Sequence, residues 1–187
     1  MDDELRGYMK KLSIFIVILI VILSTISLLS SAKEDCSLKS IGLSKADDIA
    51  EQLFYTGTCH YRNKEYDKSA LSWEKLAKLE KVNPEYQELQ IDVLNNLGYL
   101  MFFGYGVKEN KTQAIEYWQK AIILGQIESE YHLCHAYADT DQPTYDRAKA
   151  KTHCDKAYLI YKGMDDKTKG QSAIFEDIKM YQSQLKQ

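Results

Sequence analysis

From Cys36 onward the apolar and small positions of the chain recur three and four apart. Ile49, Leu53, Phe54 and Gly57 form one such stripe, and Tyr86, Leu89, Val93, Leu97 and Leu100 form another. Positions at that spacing share one face of an α-helix, so each stripe predicts an amphipathic helix, and strands are hard to find. Punctuation supports the same reading. Asn83 before Pro84 marks a helix start, an Asx cap followed by a proline whose missing N–H is not needed in the first turn. Gly125 and Gly163 stand where helices should stop. The last stretch keeps Ile174, Ile178, Tyr181 and Leu185 on one stripe, as a helix closing one end of a helical stack would.

The N-terminus follows a different pattern. Lys10 and Lys11 precede an 18-residue run from Leu12 to Leu29 without a charge, and Ser30 to Ala32 supplies a small-x-small end. Residues 1–32 therefore read as a secretory signal cut before Lys33, with Met9 as an alternative start. The run at 12–29 is also long enough to stay uncleaved as a membrane anchor. Cys36 does not suit a lipid attachment signal, because Lys33, Glu34 and Asp35 precede it.

Charge and cysteine content narrow the classes further. The first 32 residues carry three acids and three bases, so the net charge of −3 belongs to the remainder, where Lys and Glu are interspersed. A nucleic-acid partner is not expected of such a surface. All four cysteines, Cys36, Cys59, Cys134 and Cys154, lie beyond the expected cleavage point, and export to an oxidising compartment predicts two disulfides with three possible connectivities.

The chain also overlays on itself. A shift of 36 residues carries Leu97-Gly98 onto Leu133-Cys134 and the segment Ala114 to Ile122 onto Ala150 to Tyr158 without a gap. An earlier copy has Gly57 twelve residues before Ser69 and Trp73 four after it, as Trp118 is four after Ala114. Each unit thus pairs a small residue in one helix with a small residue and an aromatic in the next, which two antiparallel helices need in order to approach closely beside a large ring.

The middle unit, "LGYLMFFGYGVKENKTQAIEYWQKAIILG", resembles a Sel1-like repeat of the tetratricopeptide superfamily, with Asn110 where Asp is usual. The first unit resembles an ordinary tetratricopeptide repeat without the Gly-x-Gly loop, and the third has Pro143 but no glycine there. The resemblance implies an all-α fold, a right-handed α-solenoid of about three antiparallel hairpins at residues 46–80, 84–125 and 128–163. A capping helix at 171–187 closes a repeat domain of 33–187. About three hairpins are needed before stacking makes a core. The usual business of such a solenoid is to hold another protein.

The overlay also distinguishes among the disulfide connectivities. Cys134 takes the place of Gly98 and Cys154 that of Trp118, so the expected bridges are Cys134–Cys154 within a hairpin and Cys36–Cys59 stapling the N-terminal segment to the first helix. Each would stabilise by roughly 2–4 kcal/mol.

Sharper chemistry is weighed against these structural roles. His132, His135 and His153 flank Cys134 and Cys154 and could join them around zinc, but neighbouring helix positions diverge by about 100°, which favours a disulfide with surface histidines. Some secreted cysteine-rich members of the Sel1-like family are associated with penicillin binding. Ser30, Ser72 and Ser183 each have a lysine three residues on, but neither the "SDN" nor the "KTG" motif that such enzymes need is in the chain. The Gly104-x-Gly106 loop has Glu109 in place of the third glycine of a phosphate cradle, and Asn110 reads as a helix cap rather than a glycan acceptor. No cofactor, resident metal or enzymatic activity is expected.

Fourteen tyrosines supply contact area instead. Tyr99, Tyr117 and Tyr137 are expected to pack within hairpins, and Tyr55, Tyr86, Tyr105, Tyr131 and Tyr161 to line the concave, partner-binding face. The expectation is a non-enzymatic periplasmic protein-binding protein, with immunity against a secreted effector as its subclass. The alternatives are an envelope assembly or regulatory factor anchored in the inner membrane, touching the membrane only through an uncleaved N-terminal segment, and a cell-wall or β-lactam-directed enzyme.

Overall fold

The computed structural model describes residues 33–164 and 168–186. The signal or anchor expected at 1–32 lies outside the described residues, as does Ser30. Among the described residues there are seven α-helices and no strand. These are α1 (Ile49–Arg62), α2 (Tyr66–Ala77), α3 (Gln87–Phe103), α4 (Lys111–Ile123), α5 (Ser129–Ala138), α6 (Arg147–Lys162) and α7 (Lys169–Gln184). None of them is long and apolar enough to cross a membrane.

Local sequence sets where the helices begin. Asp48 accepts from the Ala50 N–H to start α1, and Asp146 accepts from Ala148 and Lys149 to start α6. Asn110 Oδ1 accepts from the Gln113 N–H at 3.1 Å and its Nδ2 donates to Gln113 Oε1, while its own backbone N–H is taken by Met101. Thr168 and Gln171 form a full capping box on α7. Asn83 caps as its sequence predicts, although the Pro84–Tyr86 turn is 3-10 and only then continues into α3.

The helix ends need more varied means. Gly104 closes α3 at φ 68° and Gly125 follows α4 at φ 106°, both left-handed. Gly163 ends α6 at φ −77°, a conformation open to any residue, so a glycine is not required there. In the first hairpin, which has no glycine at its turn, Lys64 takes the left-handed conformation itself at φ 59°. That conformation costs of order 1–3 kcal/mol in a non-glycine residue.

The helices pair as hairpins α1–α2, α3–α4 and α5–α6, and successive hairpins stack through α2 on α3 and α4 on α5. Helix α7 packs on both helices of the third hairpin. The chain therefore builds an α-solenoid of three hairpins closed by a final helix. Its core is a continuous seam. Trp73, Leu76, Val93, Leu97 and Leu100 fill the first part, and Phe102, Trp118, Leu133, Tyr137, Tyr161 and Ile178 fill the second. Val107 and Tyr117 pack against both.

One contact recurs at the heart of each hairpin. A Cβ on Gly57 would lie 2.5 Å from the Trp73 ring, and one on Gly98 would lie 2.7 Å from Trp118 Cδ1. The pyrrole ring of each indole thus packs directly against glycine backbone. Its N–H then reaches the carbonyl three residues before that glycine, Phe54 for Trp73 at 3.3 Å and Asn95 for Trp118 at 3.1 Å. In the third hairpin the pair is replaced by the Cys134–Cys154 disulfide, with Cα atoms 4.6 Å apart. Cys36–Cys59 is the second bridge. These are the two pairs that the register of the self-overlay implies.

Candidate partner-binding groove

Helices α1, α3 and α5, the first of each hairpin, leave an open cavity of about 450 Å³ on one side of the seam. Phe54, Thr58 and Tyr61 line it from α1, Asn95, Asn96 and Tyr99 from α3, and His132 from α5, with Trp73 at its floor. Phe54, Thr58 and Tyr61 are four and three apart and Tyr99 is four and three from Asn95 and Asn96, so the groove is the helix face just beside the buried stripe.

Its walls are aromatic, polar and uncharged. Tyr61 and Tyr99 share a hydrogen bond between their side chains, and burial pushes the Tyr61 phenol up to about 12, helped by Tyr99 and Tyr66. His132 stacks on Trp118 with centroids 5.0 Å apart and planes 13° from parallel. Burial, and secondarily the neighbouring His135, push its imidazole down to about 4, so it is neutral at physiological pH. Asn95 is held rigidly, its carbonyl by Trp118 and its Oδ1 by the hydroxyl of buried Ser129 at 2.7 Å.

At one end the groove rises into an exposed aromatic step. Tyr105 stacks on Tyr66 at 5.3 Å and on Phe103 at 5.6 Å, and Phe103 meets Tyr99 at 4.9 Å. The Gly104-Tyr105-Gly106 loop makes this possible. Gly106, at φ 66°, packs so closely on the backbone of Tyr66 and Asp67 that a Cβ there would overlap it, and the contact sets Tyr105 over Tyr66. At the other end α7 covers α5, where Tyr181 bonds His135 at 2.7 Å and Tyr131 donates to Asp177 at 3.2 Å.

The five tyrosines expected on the concave face separate accordingly. Tyr105 stands at the step, 39% exposed, and Tyr55 is exposed on α1 with its ring edge-on to Phe54. Tyr86 is half-buried against the first core and bonds Glu51 of α1. Tyr131 lies half-buried beneath α7, and Tyr161 is 2% exposed inside the core, so it has no surface to offer. Tyr99, expected inside a hairpin, lines the groove instead, together with Tyr61, which sequence reasoning passed over. The signal for both was available, since they stand four residues after Gly57 and one after Gly98, beside the buried stripe.

The histidines around the Cys134–Cys154 disulfide have partners of their own. His132 stacks on Trp118, His135 bonds Tyr181, and His153 bonds Glu130 at 2.6 Å. They are half-buried rather than on the surface, and among the described residues they form no metal-holding group with Cys134 and Cys154. Glu130 is 4% exposed and is also bonded by Lys156 at 3.1 Å. Burial alone would raise its carboxyl, but the hydrogen bonds and charges of His153 and Lys156 outweigh that and hold it below the usual carboxylate range. The Ser72–Lys75 and Ser183–Lys186 pairs do not line the groove.

Residues 91–126 match the family model of the Sel1 repeat. Neither a curated protein nor a solved structure matches the chain. The matched segment runs from the middle of α3 through the glycine loop and α4 to Gln126, and it contains the Gly98–Trp118 contact. Sel1 repeats mediate protein–protein interaction. With an equivalent contact made by glycine and tryptophan in the hairpin before and by a disulfide in the hairpin after, the chain carries a Sel1 repeat at residues 91–126 between two hairpins built in the same way.

Proposed function

We propose that the chain is an exported, non-enzymatic binding protein that holds a segment of another protein along the α1–α3–α5 groove and the Tyr105 step. The single observation that carries this is the groove itself, in which Tyr61, Tyr99, Asn95, Asn96 and His132 offer aromatic faces and amide groups on rigid helices. Tyrosine and asparagine in such a setting give large contact area with little rotamer entropy lost on binding. Tyr105 and Tyr55 extend the surface at its margins. Export is supported by the charge-free run from Leu12 to Leu29 and by two disulfides in a chain of four cysteines. Within this reading, its role is to neutralise an envelope-attacking effector by occupying it, as an immunity protein does.

Two experiments test the proposal. A benzophenone amino acid in place of Tyr99 should crosslink one discrete envelope or effector protein, and the same probe in place of exposed Lys179 on α7 should not. Equal crosslinking from both positions refutes the groove assignment. For the immunity role, co-production with an effector encoded beside it should abolish that effector's toxicity, and Tyr99→Ala with Asn96→Ala should restore the toxicity. A protected host that needs neither side chain refutes it.

A further inference from the structure

A second cavity opens on the same face of α3 as the groove. It holds about 310 Å³ and is lined by Glu88, Ile91 and Asp92 from α3 and by Leu124, Gly125 and Gln126 from the turn between α4 and α5. Glu88, Asp92, Asn95 and Tyr99 follow one another at intervals of four, three and four, so one stripe of the helix serves both cavities. The turn into α5 fixes that stripe from the side. Gln126 Nε2 donates to Asp92 Oδ1 at 2.7 Å, and the Ser129 hydroxyl donates to Asn95 Oδ1 at 2.7 Å. Gln126 is itself oriented, since its Oε1 accepts the Glu128 N–H at 3.0 Å.

The two cavities differ in charge. Phenols, amides and a neutral imidazole wall the groove, whereas the second cavity has two carboxylates beside an apolar wall. Asp92 is half-buried, and burial, together with the like charge of Glu88 one turn earlier, raises its carboxyl despite the bond from Gln126. A carboxylate so placed is stabilised by an incoming positive charge. The bond from Gln126 uses Oδ1 and leaves Oδ2 to receive it. Ile91 and Leu124 add aliphatic surface, that of Leu124 being 44% exposed. A cationic head for the carboxylates and an aliphatic stem for the wall are the two parts of a lysine or arginine side chain. A hydrated metal ion has no use for the second.

We propose, resting on the groove as the binding surface, that the partner segment lies extended along α3 and sets a lysine or arginine side chain between Glu88 and Asp92, while an aromatic residue of the same segment fills the groove beside Tyr61, Tyr99 and His132. The spacing follows from the helix. Asp92 and Tyr99 are seven residues apart, about 10 Å along the axis of α3, and an extended chain covers that length in about three residues. The segment therefore carries its basic residue about three positions from its aromatic one. Asn95 and Asn96 stand between the two cavities, where their amides meet the intervening main chain. The carboxylates give the surface a selectivity for charge that the uncharged groove lacks, and they disfavour an acidic segment by like-charge repulsion.

The probe is a random peptide library displayed on phage and selected against the full chain with both disulfides formed. Its binders should carry lysine or arginine about three positions from an aromatic residue. For a selected peptide, the double variant Glu88→Gln with Asp92→Asn, checked for native helicity, should lose affinity at least about ten-fold, and the loss should be larger at low salt than at high salt. The same peptide with glutamine in place of its basic residue should bind parent and double variant equally, which separates a lost charge contact from a disturbed fold. The proposal is overturned, with the groove left standing, if the binders need Tyr99 but show no preference for a basic residue at that spacing, or if the double variant binds them as tightly as the parent. If no binder depends on Tyr99, the groove and its basic partner are refuted together.

Discussion

Substituting alanine for Gly98 should destabilise the protein, against the general preference of helices. In a helix interior Ala is favoured over Gly by about 1 kcal/mol. At position 98 the added carbon would lie 2.7 Å from Trp118 Cδ1 and 2.8 Å from Cε2, inside contact distance. The indole has nowhere to retreat, because it is 0% exposed, with Phe102 at 5.3 Å and His132 stacked at 5.0 Å. Overpacking of this kind costs about 1–3 kcal/mol. Any tilt of the ring also strains the bond to the Asn95 carbonyl, and a buried N–H without its acceptor costs about 1–3 kcal/mol more. Subtracting the helix gain leaves a net loss of about 1–5 kcal/mol. Gly170, exposed in the first turn of α7 with nothing nearer to an added Cβ than Thr168 Oγ1 at 3.9 Å, is the matched control. Gly170→Ala should gain about 0.5–1 kcal/mol. Urea unfolding followed by far-ultraviolet circular dichroism measures both. The close-packing account is refuted if Gly98→Ala is as stable as the parent, or if the two substitutions change stability in the same direction.

Three further outcomes follow from the same geometry. Ser69 occupies the place of Ala114 and Ala150, and its buried hydroxyl has no hydrogen-bond partner, so Ser69→Ala should raise the urea midpoint, by about 1 kcal/mol or more of stability. His132, whose folded pKa is depressed, binds its proton more readily when unfolded. Its contribution is complete above pH 6.5 and falls away as the pH drops towards 4, so stability declines across that window, and the His132 Hε1 resonance should titrate near pH 4 in the native state. Glu130, also depressed by its partners, contributes stability above the unfolded carboxylate pKa that is lost as pH falls through the lower folded one. Glu130→Gln should therefore cost about 1–3 kcal/mol at neutral pH, with the difference from the parent shrinking in acid.

Much of the fold is legible in the sequence because its determinants are local or periodic. Helix spacing follows from the recurrence of apolar residues, and the caps at Asp48, Asn110 and Asp146 are short-range hydrogen bonds. The register of the hairpins follows from the self-overlay, since the same contact must be made in each unit by Gly57 with Trp73, Gly98 with Trp118 and Cys134 with Cys154. The glycine loop is a partial case. Its left-handed turns could be expected from Gly104 and Gly106, but the seating of Gly106 on the backbone of the preceding hairpin is a contact between distant residues.

What the tertiary structure alone decided is which side chains of each helix remain at the surface. Tyr161 and Tyr99 are indistinguishable as residues in an amphipathic pattern. Yet the first is sealed in the core of the third hairpin, and the second faces the groove between α1 and α3. Tyr131, expected on the concave face, is covered by α7, whose docking brings Asp177 and Tyr181 across more than forty residues of sequence. The partners of the histidines and the gathering of Cys36, His60 and Glu65 depend on the same long-range packing. Periodicity defines a helix's faces only relative to its own axis. The rotation of that axis against its neighbours is set by contacts such as indole on glycine, which exist only once the hairpins have closed.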